Sequence, residues 1–188
     1  MLTFDAAAHA YRWNNTLVPS VTQIIRPLWD FSAIHPAVLE QKRQIGTAVH
    51  YACELIDHGT LDAASISPEI AGYVVAYREF LAAKKPEWAL IEARHYNPSF
   101  QYAGTLDRAG DMDGPALLDV KTGPESAAIG VQLAAYQKAA VMPPNTRRYS
   151  LHLKDDGTYR LIEHADRNDW PLFLSLLNLH NWKVKHAA

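Results

Sequence analysis

Two short segments, GTLDR at 104–108 and LLDVKTG at 117–123, carry acids and a base at the spacing of β-strands. Side chains alternate along a strand, so Asp119 and Lys121 share one face while Leu118 and Val120 share the other. If the turn between the two strands has an odd number of residues, Asp107 falls opposite Asp119, with Cβ atoms about 4.5–5.5 Å apart. An even turn needs a bulge to reach the same convergence. Two carboxylates at that separation repel, and a hard divalent cation such as Mg²⁺ relieves them, adding phosphate oxygens and water to its shell. Such a cation polarises a phosphodiester and helps to generate hydroxide. Lys121 alongside would position the attacking water or stabilise charge on the phosphate. Taken alone, the D-x-K spacing also fits a solvated ion pair, and Asp107–Arg108 also fits a surface strand end.

The company of these segments narrows the reading. IGTAVH (45–50) precedes them and QLAAY (132–136) follows. A glycine-led helix with a histidine, then G-x-x-D, D-x-K and Q-x-x-x-Y, resembles the PD-(D/E)xK nuclease superfamily. More closely, it resembles the RecB-like branch, which includes recombination exonucleases and CRISPR-associated and phage exonucleases. The resemblance spans about residues 45–136. It implies His50, Asp107 and Asp119 as metal ligands, joined by the backbone carbonyl of Val120, and Lys121 as the catalytic lysine. It implies that Gln132 and Tyr136, which share a helix face at a spacing of four, brace the site and contact DNA. Leu106 stands where the superfamily name has proline, as is usual in this branch, and the second acid is Asp rather than Glu. The four-cysteine iron–sulfur cluster of some relatives is excluded, because Cys53 is the only cysteine.

The activity implied is a Mg²⁺-dependent DNA exonuclease, with Mn²⁺ as a substitute, holding one or two ions. It would serve recombination, repair or phage DNA processing, alone or beside a single-strand annealing or other recombination protein. Three alternatives stay open: a structure-specific or restriction-like endonuclease, a nuclease-derived module that binds DNA without cutting, and an unrelated metalloenzyme.

Other residues near these motifs have two readings each. Glu54 lies one helical turn beyond His50 and either orients it or is a solvated charge. Glu92 and Arg94, on the strand before Asp107, share a face: Glu92 either reaches the acids or lies at an exposed edge, and Arg94 could pair with it or with phosphate. Tyr102 and Arg108 flank the acidic strand and could touch DNA. In the N-terminal YRWNNTLVPSVTQII, the aliphatic residues read as core and the aromatics as core or as stacking surfaces for unpaired bases.

The elements that must position this set follow from periodicity and turn chemistry. Residues 3–18 read as a β-hairpin turning at Asn14–Asn15. Helices are expected over 21–29, 39–58 (closed by Gly59) and from Ser67 or Pro68 to 83. Strands follow at 89–96, 102–109 and 116–122, a helix at 125–141, strands at 148–154 and 159–163, and a last helix at 168–184. This is the α+β class: a central mixed, mainly antiparallel sheet flanked by helices, a restriction-endonuclease-like core. One nuclease domain over 1–188 is expected, with 1–38 an appendage and 39–188 the catalytic core.

Composition agrees with an ordinary globular chain, 48% hydrophobic and 20% charged, which argues against disorder. A net charge of −2 argues mildly against a nucleic-acid binder, although metal-binding carboxylates contribute to it. The basic doublets Lys84–Lys85 and Arg147–Arg148 read as surface pairs. No run approaches the ~20 apolar residues of a membrane span, and the start lacks the pattern of a signal peptide. A cytoplasmic protein, compatible with phage origin, is the expectation.

Overall fold

The computed structural model describes residues 1–30 and 32–187. Three strands open the chain: β1 (Leu2–Asp5), β2 (Ala10–Trp13) and β3 (Thr16–Val18), paired antiparallel in the order β1-β2-β3. The β2–β3 turn has Asn14 and Asn15 both at positive φ, +48° and +66°, the conformation of a type I′ hairpin that asparagine tolerates. The hairpin expected over 3–18 is thus enlarged by β1, whose Leu2 and Phe4 pack beside Tyr11 and Trp13. Trp13 is not core. It stacks on Tyr96 with centroids 4.5 Å apart, which fastens this small sheet to the larger one.

Helix α1 (Val21–Ile25) starts from a reciprocal cap in which the Ser20 hydroxyl accepts from the Gln23 amide and the Gln23 side chain accepts from Ser20. Pro27 limits it to a short helix continued by one 3-10 turn, Arg26–Leu28. Helix α2 (Pro36–Asp57) begins earlier than its apolar pattern shows, because His35 caps it and Pro36 occupies its first position. Gly59, at φ +68°, turns the chain away after its end. Helix α3 (Pro68–Lys84) has Ser67 as its cap and closes at Lys85 in the left-handed conformation.

The central sheet runs β4 (Glu87–Asn97), β5 (Tyr102–Asp111), β6 (Pro115–Lys121), β7 (Arg147–Leu153), β8 (Tyr159–Glu163), in that order. Only β6 and β7 are parallel, with α4 (Ala128–Ala139) in their crossover. Helix α5 (Asp169–His186) ends the chain. The α+β class and the mixed sheet are as the sequence implies. Among the described residues no helix is long and apolar enough to cross a membrane.

Alternation along β6 divides the core in two. Leu118 and Val120 join Val49, Cys53, Tyr77 and Phe80 beneath α2 and α3. Leu117 faces the opposite way, toward Val21, Ile24, Leu133 and Phe173 of α1, α4 and α5. Helix α1, expected within an appendage, therefore contributes directly to one of the two cores.

One residue ties the first of these layers to the sheet. Arg108 is fully buried, and its Nε donates to Asp57 at the end of α2 over 2.5 Å. Its Nη1 donates to Glu92 on β4 (2.9 Å) and to the backbone carbonyl of Asp107 (2.7 Å). Asp57 also accepts from the Tyr77 hydroxyl of α3 at 2.8 Å. A charge removed from water is tolerated only when paired, and removing one partner of a buried pair leaves the other uncompensated. Asp57→Ala should therefore destabilise the protein by about 3 kcal/mol in urea unfolding. A change below about 0.5 kcal/mol, the range of ordinary surface substitutions, would show that the guanidinium is not held in this way.

Candidate active site

The site forms where two paired strands part. The β5–β6 turn, residues 112–114, is odd in length, and the register runs from Asp111–Pro115 to Arg108–Leu118. Extended by one step it places Asp107 across from Asp119. Pairing stops before that step, and the free amide of Val120 is taken up by the Asp107 carboxylate at 2.7 Å. A buried amide without a partner is costly, so the side chain of the first motif completes the backbone of the second.

Strand alternation also breaks beside this point. Leu106 and Ala109 both face the α1/α4/α5 core, while Arg108 turns to α2 and α3. Across from them on β4, Glu92 has φ +47°, rare for a non-glycine residue in a strand. The carboxylate of Glu92 is held by Arg108 from beneath. Strain of this kind concentrates at functional sites.

Helix α2 closes the group. His50 Nδ1 lies 3.4 Å from Asp107 Oδ2. One ligand atom each from His50, Glu92 and Asp107 lies within 4.8 Å of the other two. Their environment explains why they would accept a cation. Burial, and then the charge of Asp107, push the Glu92 carboxyl up to about 7, and Arg108 offsets this only in part. One imidazole and two carboxylates form a nitrogen–oxygen donor set that suits Mn²⁺ or Mg²⁺ better than a soft ion.

Beside the triad stands a second cluster. Lys121 Nζ lies 2.5 Å from Asp119 Oδ2, and the amide of Gln132 reaches both Asp119 Oδ1 (3.3 Å) and the Tyr136 hydroxyl (3.0 Å). Burial drives the Asp119 carboxyl upward, while the ammonium beside it works the other way. Burial opposes charge on Lys121 too, yet the carboxylates of Asp119 and Asp107 hold its ammonium above the ordinary value. Lys121 is therefore charged near neutral pH and suited to stabilising negative charge rather than to acting as a base. Gly104 has a defined part here. A Cβ at that position would come 2.5 Å from Cε1 of Tyr136, so glycine lets the ring lie against β5.

The named residues thus fall into two neighbouring groups joined through Asp107 and Val120, with four corrections. Asp119, whose spacing to Lys121 alone also fits a solvated ion pair, has a side chain only 2% exposed, because α4 lies over it. Tyr102 and Arg108 cannot touch DNA: both are fully buried, Tyr102 donating to the Ala135 carbonyl and Arg108 serving the ion network. Arg94 does not pair with Glu92, which is held by Arg108; its guanidinium lies 5.0 Å over the Phe4 ring. Of the surface doublets, Arg148 is instead packed inward and paired with Asp169 at 3.0 Å. Glu54 lies outside the triad and lines an adjoining cleft.

The reading from sequence missed Asp57 and Tyr77. The signal for Asp57 was present, since His50, Glu54 and Asp57 stand at i, i+4 and i+7 on one helix face. A scan against protein-family models finds no matching family, and a search of curated proteins finds no match.

The Glu92 shift gives a signed expectation. A carboxyl that binds its proton more tightly when folded contributes stability below the unfolded value of 4.5 and loses it as pH rises to about 7. Glu92→Gln keeps an acceptor for Arg108 but cannot ionise. In chelator it should match the parent near the lower limit and be more stable by about 1–2 kcal/mol above the upper one, less than the full shift because the group is partly solvated. A variant less stable than the parent above the upper limit would contradict the assignment.

Proposed function

We propose that the chain is a divalent-metal-dependent deoxyribonuclease of the PD-(D/E)xK kind, acting by hydrolysis of phosphodiester bonds. One observation carries the reading: Asp107 belongs to the His50–Glu92–Asp107 triad and at the same time accepts from the Val120 amide, between Asp119 and Lys121. The metal-binding set and the acid–lysine pair are therefore one site rather than two coincidences of spacing.

His50, Glu92 and Asp107 would hold the ion, and Mg²⁺ or Mn²⁺ there supplies Lewis-acid polarisation of the phosphodiester. Lys121 would bring a fixed positive charge to the phosphate as negative charge develops on it, in a recessed and weakly screened setting. Asp119 keeps that ammonium in place, and Gln132 keeps Asp119 in place through the amide it shares with Tyr136. The Asp107 carboxylate is oriented by the Val120 amide, so its direction does not depend on the ion.

The resemblance to RecB-like enzymes favours attack at DNA ends in recombination, repair or phage DNA processing. End-labelled linear DNA, single- and double-stranded, incubated beside a closed circle with Mg²⁺, Mn²⁺ or chelator tests this directly. The expectation is metal-dependent loss of the linear forms with the circle intact; a nicked or linearised circle would instead make the protein an endonuclease. Lys121→Ala and Asp119→Asn, the latter chosen to keep the buried shape, should each lower the rate by at least about 100-fold with little change in melting. Undiminished cutting by either variant, or intact DNA under every metal condition, would reject the reading.

A further inference from the structure

A cleft of about 470 Å³ adjoins the triad and shares Glu92 and Tyr136 with the site. The small N-terminal sheet contributes Phe4 and His9 to its lining, α2 contributes Arg43 and Thr47, and β4 contributes Arg94. The wall on the N-terminal side is an aromatic cluster with a cation on it. Phe4 lies 4.6 Å from Tyr11 and 5.3 Å from His9 between ring centroids, and the Arg94 guanidinium sits 5.0 Å over Phe4. Phe4 is half-buried and His9 exposed. Among the described residues the Arg43 side chain is held only by an exposed pair with Glu40, an interaction weak enough to be exchanged for a phosphate.

This combination discriminates between forms of DNA. In a duplex the bases stack on one another and offer only their edges in the grooves, so an aromatic wall inside a cleft has nothing to stack with. An unpaired strand presents base faces, and aromatic side chains with guanidinium groups grip it with little regard to sequence. The acids are also recessed, the Asp107 side chain being 10% exposed and that of Asp119 2%. A phosphodiester must be led into them, which a single flexible strand allows.

We propose that this cleft receives an unpaired DNA strand, with bases against Phe4 and His9 and phosphates on Arg94 and Arg43, and leads it to the triad. The destination of the strand rests on the nuclease reading; the grip itself does not. Fluorescence anisotropy of a labelled oligothymidylate and of a blunt duplex of equal length, in chelator and low salt, measures the grip without cleavage.

The intact protein should bind the single strand at least about tenfold more tightly than the duplex. Phe4→Leu, which keeps apolar bulk without a π face, and Arg94→Gln should each weaken it by about 5- to 50-fold, and Phe4→Trp should restore binding. Equal or tighter binding of the duplex overturns the proposal, as do parental affinities in both Phe4→Leu and Arg94→Gln. Tighter binding of oligouridylate than of oligothymidylate overturns DNA as the strand. A protein that grips the oligonucleotide but never cuts it upholds this inference and ends the nuclease reading. One that cuts duplex ends without preferring single strands does the reverse.

Discussion

A guanidinium with no access to water constrains everything around it, and Arg108 is such a group. Its hydrogen bonds go to Asp57 at the end of α2, to Glu92 in β4 and to the carbonyl of Asp107 just before it, and Tyr77 of α3 in turn donates to Asp57. None can move far without stranding a buried charge. Two of these partners are also parts of the site, since Glu92 presents its carboxylate to the triad and Asp107 supplies another. The scaffold and the chemistry therefore use the same ion network, and the left-handed backbone of Glu92 is held by a contact at its carboxylate.

From this anchor the rest of the site follows by geometry. Arg108 turns toward α2 and α3 where strict alternation would send it the other way, and one residue before it, at Asp107, β5 is not paired with β6. Parting strands expose backbone amides; here the Val120 amide is met by Asp107, and the opening becomes a recess between α2 and α4. Lys121 and Asp119 line it from the sheet, Gln132 and Tyr136 from α4, His50 from α2. Gly104 leaves room for the Tyr136 ring. Glu92 and Asp119 gain proton affinity from burial and from the charge of Asp107, which is the electrostatic condition that a divalent cation relieves.

How much of this was legible beforehand depends on the range of the signal. Strand alternation in LLDVKTG and the odd turn at 112–114 are local, and both the face shared by Asp119 and Lys121 and the approach of Asp107 could be read from spacing. Helix ends at Gly59 and Ser67 were equally local. What escaped depends on contacts far apart in the chain. An arginine after an acid reads as a surface residue unless one knows that Asp57, some fifty positions earlier, lies against it. A charged strand face reads as exposed unless a later helix is known to cover it, as α4 covers Asp119. Glu92 could be read either way, because the φ that turns it toward the triad leaves no mark on periodicity.

In the proposed function His50, Glu92 and Asp107 hold one divalent cation within reach of Lys121. Electron paramagnetic resonance of Mn²⁺ titrated into the purified protein tests it most directly, since free and bound Mn²⁺ give distinct signals. Binding should be saturable in the parent protein, lost or weakened at least about tenfold in Asp107→Asn, and retained in Lys121→Ala. No binding in the parent, or an unchanged titration in Asp107→Asn, would contradict it.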